Sequence, residues 1–252
     1  MCTTVIDIDP RSPVPVLLIG VRDEFGDRPW LPPGRHWSGH PALVGGQDLQ
    51  ALGTWLAVAA AAPRVACVLN AHGEAAAAAR RSTRGGLPLR AAESGDLGDL
   101  DAARYDPFHL VCASPTLTRL WSWNGRDLTE RTLDAGLHIV VNSGLDGAGE
   151  DDAPGGAQMR ARIEHFRPLF DKAPRPEPRD GSARRAWGAW FGLAAGGGLD
   201  PRDPRALVLS RTVGDRPWGT SSVSLVALTR SGARFDFCAD PAGSHPAWSR
   251  VL

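Results

Sequence analysis

Cys2 is the residue that comes closest to carrying a whole reaction by itself. Removal of the initiator methionine ahead of so small a residue would leave its α-amino group beside its own thiol. Their ordinary pKa values, about 7.7–8.0 and about 8.5, both fall near neutrality. One residue then supplies nucleophile and base. That chemistry needs a cation to favour thiolate, a carboxylate to hold the ammonium, and amide donors for an oxyanion. Arg22 and Asp23 close a second apolar run, and a strand returning beside the first would bring both near Cys2. Asn70 ends another apolar run, where strands disfavour asparagine, so it has either a polar task or a turn to form. Asn142 carries the same two readings. For Cys2 the alternative is a small buried residue at the start of a strand.

The elements that must position these residues are mostly short apolar runs bounded by Gly, Pro and Asp. Cys2 to Ile8 and Val14 to Val21, separated by Pro10, Ser12 and Pro13, predict a strand, a turn and a strand. Trp55 to Ala60 and Val65 to Leu69, broken by Pro63, predict a second hairpin. His109 to Ala113, Arg119 to Trp123, Leu128 to Leu133 and Leu137 to Val141 predict a four-strand meander, with a tight turn at Asn124-Gly125. Met159, Ile163, Phe166 and Phe170 recur at helical spacing and predict an amphipathic helix between Ala157 and Phe170. Arg184 to Leu193, with Trp187, Trp190 and Phe191, predicts a second long helix ended by Gly196-Gly197-Gly198. Leu207 to Ser210, Ser221 to Leu228 and Arg234 to Phe237 predict the last strands, and Asp146 to Gly156 and Ala173 to Asp180 predict irregular segments. Strand groups separated by a few helices imply a layered α+β sandwich, and no shift in composition divides residues 1–252 into more than one domain.

Several function classes are excluded by what the chain lacks. Its 28 basic and 28 acidic residues cancel, which leaves no electrostatic footprint for nucleic acid. The only lysine, Lys172, is followed by Ala173, so there is no Walker loop. The chain also contains no GxSxG elbow and no HExxH helix, and no GxGxxG follows a strand. His36 and His40 are four apart, but Gly39 and Pro41 keep them off a helix, and no metal site is expected. Cys67, Cys112 and Cys238 show no paired spacing and sit in apolar runs as inert core residues. With no basic and apolar leader and no long apolar run, no signal peptide or transmembrane segment is expected, and the expected compartment is the cytoplasm.

The Met1-Cys2-Thr3-Thr4 start, Gly20-Val21-Arg22-Asp23-Glu24-Phe25 and Arg28-Pro29 together resemble the NRDE family, also called the transport and Golgi organisation protein 2 family. The resemblance continues in order through Gly45-Gly46-Gln47-Asp48-Leu49, Gly53-Thr54-Trp55-Leu56, Leu69-Asn70, Tyr105-Asp106-Pro107-Phe108, Asn142-Ser143-Gly144-Leu145-Asp146 and Trp218-Gly219-Thr220-Ser221-Ser222. It implies a four-layer αββα N-terminal nucleophile hydrolase-like sandwich of two antiparallel sheets. It also makes the chain similar to cysteine amidohydrolases such as the penicillin V acylase group. By that likeness Cys2 is the nucleophile, Arg22 and Asp23 are its supporting ion pair, and Asn70 and Asn142 are the oxyanion and positioning amides. The implied substrate is a small amide or thioester acyl compound, with no cofactor required. Links of the family to heme handling, acyl-coenzyme A or lipid binding and secretory organisation imply the alternative, a non-catalytic carrier of heme or an amphipathic acyl ligand. Two positions depart from the family pattern: Val21 stands for its asparagine, and Ser221 for its arginine, which Arg211 or Arg216 would have to replace.

Overall fold

The computed structural model describes residues 2–148 and 155–252. Its first strands are β1 (Thr3–Ile8), β2 (Val16–Phe25), β3 (Trp30–Gly34), β4 (Leu43–Asp48), β5 (Leu56–Ala59) and β6 (Arg64–Asn70). Helix α1 (Leu87–Ser94) leads into β7 (Phe108–Ala113), β8 (Thr118–Trp123), β9 (Leu128–Thr132), β10 (Gly136–Val141) and the short β11 (Gly144–Leu145). Helices α2 (Gly156–Lys172), α3 (Ala183–Trp187) and α4 (Ala189–Ala194) precede β12 (Ser210–Val213), β13 (Arg216–Leu228), β14 (Ala233–Ala239) and β15 (Ala247–Arg250).

Two antiparallel sheets result. One runs β11-β10-β1-β2-β13-β14-β15 with β12 on β13, and the other runs β3 to β9 in chain order. Alternation along each strand feeds two cores at once. Val5, Leu17, Ile19 and Val21 face Met159, Ile163, Phe166 and Phe170 of α2, together with Trp187 and Trp190 from the short helices. Ile6, Leu18, Val226 and Phe235 instead meet Leu56, Val65, Leu69 and Val111 of the other sheet. The outer face of that second sheet is covered by Leu87, Leu89, Ala91 and Ala92 of α1. The layers therefore read helices, sheet, sheet, helix, as a two-sheet sandwich of the α+β class.

Several expectations are corrected. The run Leu137 to Val141 does not extend the meander: β10 leaves it and pairs with β1 in the other sheet, because β1 offers a full register from Thr3–Val141 to Ile8–Gly136. The second long helix is two short ones, broken at Gly188, whose φ of 52° and ψ of −128° no helix contains. Leu207 to Leu209 are buried but lie ahead of β12, which begins at Ser210. Arg22 and Asp23 lie inside β2 rather than at its end. β3, β4 and α1 escape the sequence pattern: Pro32, Pro33 and paired glycines mask the strands, and α1 is only two turns long. The expected removal of Met1, and positions 149–154 of the expected irregular segment Asp146 to Gly156, lie outside the described residues. Among the described residues no helix is long and apolar enough to cross a membrane.

Candidate active site

The pairing of Thr3 with Val21 sets Cys2, one step further out, opposite Arg22. Cys2 shares the inter-sheet face with Thr4, whose Oγ1 lies 3.3 Å from Cys67 Sγ. Its own Sγ points at the Asp23 carbonyl oxygen, 3.8 Å away. The thiol is half-buried in the wall of a cavity of about 600 Å³, whose lining includes Arg22, Asp23, Trp55, Asn70 and Arg84. Burial, helped by the Asp23 charge, pushes this thiol above its ordinary value, against the opposing pull of the Asp23 carbonyl and the Arg22 charge. Cys67 lacks such a counterweight from any cation and is pushed up to about 12.

Arg22 and Asp23 do not pair with each other, which corrects the expected ion pair. Successive residues of a strand point to opposite faces, and these two obey that rule. The Arg22 guanidinium turns between the sheets, where Nη2 donates to Asp48 Oδ2 at 3.0 Å and Nη1 to Ser221 Oγ at 2.9 Å. It lies 4.4 Å above the Trp55 ring. The Asp23 carboxylate turns toward α2, accepting from Thr220 Oγ1 at 2.6 Å and facing Arg162 Nη1 at 3.8 Å. Arg162 also donates to Thr3 Oγ1 at 2.7 Å. A β-bulge makes this double service from β13 workable. Thr220 opposes Asp23 and Ser222 opposes Arg22, so Ser221 is the extra residue and its hydroxyl is re-aimed at Arg22.

The two asparagines part company. Asn70 lines the cavity, whereas Asn142 does not and donates from Nδ2 to the Asn70 carbonyl at 2.6 Å, so it holds the end of β6 in place. Val21 faces the helices and leaves the cavity untouched. Ser221, in the missing arginine's place, accepts from Arg22 and supplies no cation, while Arg211 is tied to Gln158 and the Asp203 carbonyl and Arg216 to Asp27. Asp48 fixes the loop after β4 by accepting from the Gln50 and Ala51 amides. It also binds Arg22 and Arg28. Burial alone would raise its carboxyl, but the Arg28 and Ala51 hydrogen bonds and the two arginine charges outweigh burial and hold it below the usual range. Arg28, Arg81, Arg84 and Asp106, which also line the cavity, escaped the sequence reading. Only Asp106 and Arg28 fell within quoted motifs, and nothing in their spacing marked them.

A family model described as Transport and Golgi organisation 2 matches residues 1–173. The chain belongs to that family. No curated protein matches it. In this member of the transport and Golgi organisation 2 family, Cys2, Arg22, Asp23, Asn70 and Asn142 fall within the matched residues, while Thr220 and Ser221, which hold Asp23 and Arg22, lie beyond them. Heme, one ligand implied by the family resemblance, does not fit this lining. Heme iron takes His, Cys, Met or Tyr, and among the described residues that line the cavity only Cys2 is one of these, beside four arginines and four carboxylates. Flat apolar surface is confined to Trp55 and its few small neighbours. The arginines are compatible in charge with the phosphates of an acyl-coenzyme A. Among the described residues, no three His, Cys, Asp or Glu side chains converge to hold a metal ion.

Proposed function

We propose that the chain is an N-terminal cysteine hydrolase of a small amide or thioester. The observation that carries this reading is the single cavity shared by the Cys2 thiol, the Arg22 and Asp23 pair of strand neighbours, and Asn70. With Met1 removed, the Cys2 α-amine accepts the thiol proton as sulfur attacks the acyl carbon. A C–S bond forms and the carbonyl π electrons move to oxygen. Arg22 supports the sulfur's negative charge, Asp23 holds the ammonium, and Asn70 donates to the oxyanion. Collapse breaks the C–N or C–S bond of the substrate, and the ammonium returns its proton to the leaving group. Water then attacks the acyl-cysteine, passes a proton to the amine, and regenerates the thiol with release of the acid. Asn142 acts through Asn70 as a positioning residue.

The test is turnover of a panel of amides and thioesters by the wild type and Cys2→Ala, with intact mass to establish the N-terminus. The expected result is loss of Met1 and turnover abolished in Cys2→Ala with an unchanged melting temperature. Unchanged turnover, or a retained Met1, overturns the reading. The raised Cys2 thiol favours one second reading, a non-catalytic carrier of an amphipathic acyl ligand. A carrier would show a stoichiometric ligand whose retention survives Cys2→Ala.

A further inference from the structure

Four arginines line the cavity, and three are already neutralised. Arg22 is bound to Asp48, Arg28 to Asp48 with Glu24 at 3.5 Å, and Arg81 to Asp106 at 3.2 Å. Arg84 is the exception. Among the described residues no carboxylate lies within ion-pair distance of it, and its one hydrogen bond runs from Nη1 to the Pro107 carbonyl at 2.8 Å. That bond fixes one edge of the guanidinium and leaves Nε and Nη2 without an acceptor among the described residues. These two donors form the fork that matches a carboxylate or phosphate in a bidentate contact.

The segment carrying Arg84 is held in place beforehand. Thr54 N–H donates to the Gly85 carbonyl at 2.9 Å, and Thr83 Oγ1 accepts from the Gly85 amide. Gly53 and Gly85 are packed backbone to backbone, so that a Cβ on Gly53 would sit 2.3 Å from the Gly85 carbonyl carbon. The close approach explains the glycine in Gly53-Thr54-Trp55 and ties the Arg84 loop to the one that begins β5. Arg84 is partly buried, and burial pushes its guanidinium down while the charges of Asp106 and Cys2 oppose this. Arg84 and the thiol thus share one electrostatic environment across the cavity.

We propose that Arg84 is the anion-recognition residue of this cavity, so that the acyl compound presented to Cys2 carries a carboxylate or phosphate group. This rests on the hydrolase reading for its substrate, but the anion subsite itself is testable separately. Iodoacetate and iodoacetamide alkylate a thiolate by the same step, in which sulfur displaces iodide, and differ in one negative charge. Their rate ratio at Cys2, located by peptide mapping in the full chain, therefore cancels any change in the thiol's own pKa.

The expected result is an iodoacetate preference at Cys2 at least about tenfold above that of a free small thiol, on the scale of one charged contact. Arg84→Gln should remove it, and Arg84→Lys, which keeps charge without the fork, should retain part. An equal ratio in wild type and Arg84→Gln overturns the subsite. Should neither reagent label Cys2, the hydrolase reading fails, and the subsite is then read by calorimetric titration of the same proteins with inorganic phosphate and with acetate. Saturable binding lost in Arg84→Gln supports it, with the tighter anion naming the group. Binding that is absent, or equal in Arg84→Gln, overturns it.

Discussion

Arg22 and Asp23 are neighbours in the chain, both buried, and they join clusters that differ in their access to water. On the cavity side, Arg22 and Asp48 are themselves buried, at 5% and 10% exposure, but they share a cluster with Arg28 and Glu24, which reach solvent at 30% and 25%. On the helix side, Asp23 and Arg162 are almost fully enclosed, at 0% and 2% exposure. Water and several partners spread the charge in the first cluster. In the second, Arg162 Nε and Nη2 are buried with no hydrogen-bond partner among the described residues. A charge so enclosed costs much to desolvate and leaves few alternatives if one partner is lost. The contrast teaches that the wet cluster can rearrange around a ligand, whereas the dry one serves as a fixed footing beneath Cys2 and Thr3.

The sharpest way to break this comparison is to remove the dry cation. Arg162→Met should cost about 3–5 kcal/mol in urea unfolding, because it leaves the Asp23 charge buried without its guanidinium. Adding Asp23→Asn to that variant should recover part of the loss. A loss under about 1 kcal/mol would show that the helix side is not dry in this sense.

A second enclosed group gives a pH signature. His109, against Ser122 Oγ at 2.8 Å, is pushed down to about 4 by burial, against a hydrogen bond to the Asn142 backbone that opposes the shift. The unfolded chain takes up this proton near 6.5 and the folded one only near 4. Stability from this group is therefore intact above 6.5 and declines as pH falls from 6.5 to 4, by about 3 kcal/mol in all. His109→Gln should flatten that part of the stability–pH curve, and an unchanged slope would contradict the assignment.

The wet cluster should respond less. Asp48→Asn weakens its bonds to Arg22 and Arg28 but leaves Glu24 and cavity water as substitutes, so a loss of about 2 kcal/mol at pH 7 is expected in the same unfolding experiment. The Asp48 carboxyl is held below its ordinary value, so its contribution is present at neutral pH and disappears as pH falls through the acid range. A loss as large as that of Arg162→Met would erase the distinction between the two sides.

Much of this protein was legible in its residues. The apolar runs Thr3–Ile8 and Val16–Val21, and the stripe Met159, Ile163, Phe166 and Phe170, follow from local geometry that each segment carries with it, and the family that the ordered motifs resemble is the one whose model matches residues 1–173. Cys2, Arg22, Asp23 and Asn70 were named from residue type and resemblance, and the fold brings all four to one cavity. What local pattern could not decide was partnership. The destination of β10 depended on β1, more than a hundred residues earlier, and the break at Gly188 on a backbone conformation that the helical spacing of Trp187, Trp190 and Phe191 concealed. The partners that Arg22 and Asp23 meet on β13 are set by a bulge in that strand, and Arg84 gained its place from a glycine contact between two distant loops. Side-chain periodicity is a property of a few consecutive peptide units and so is written in sequence. Charge pairing and exposure depend on which surfaces meet, and only the closed sandwich fixes that.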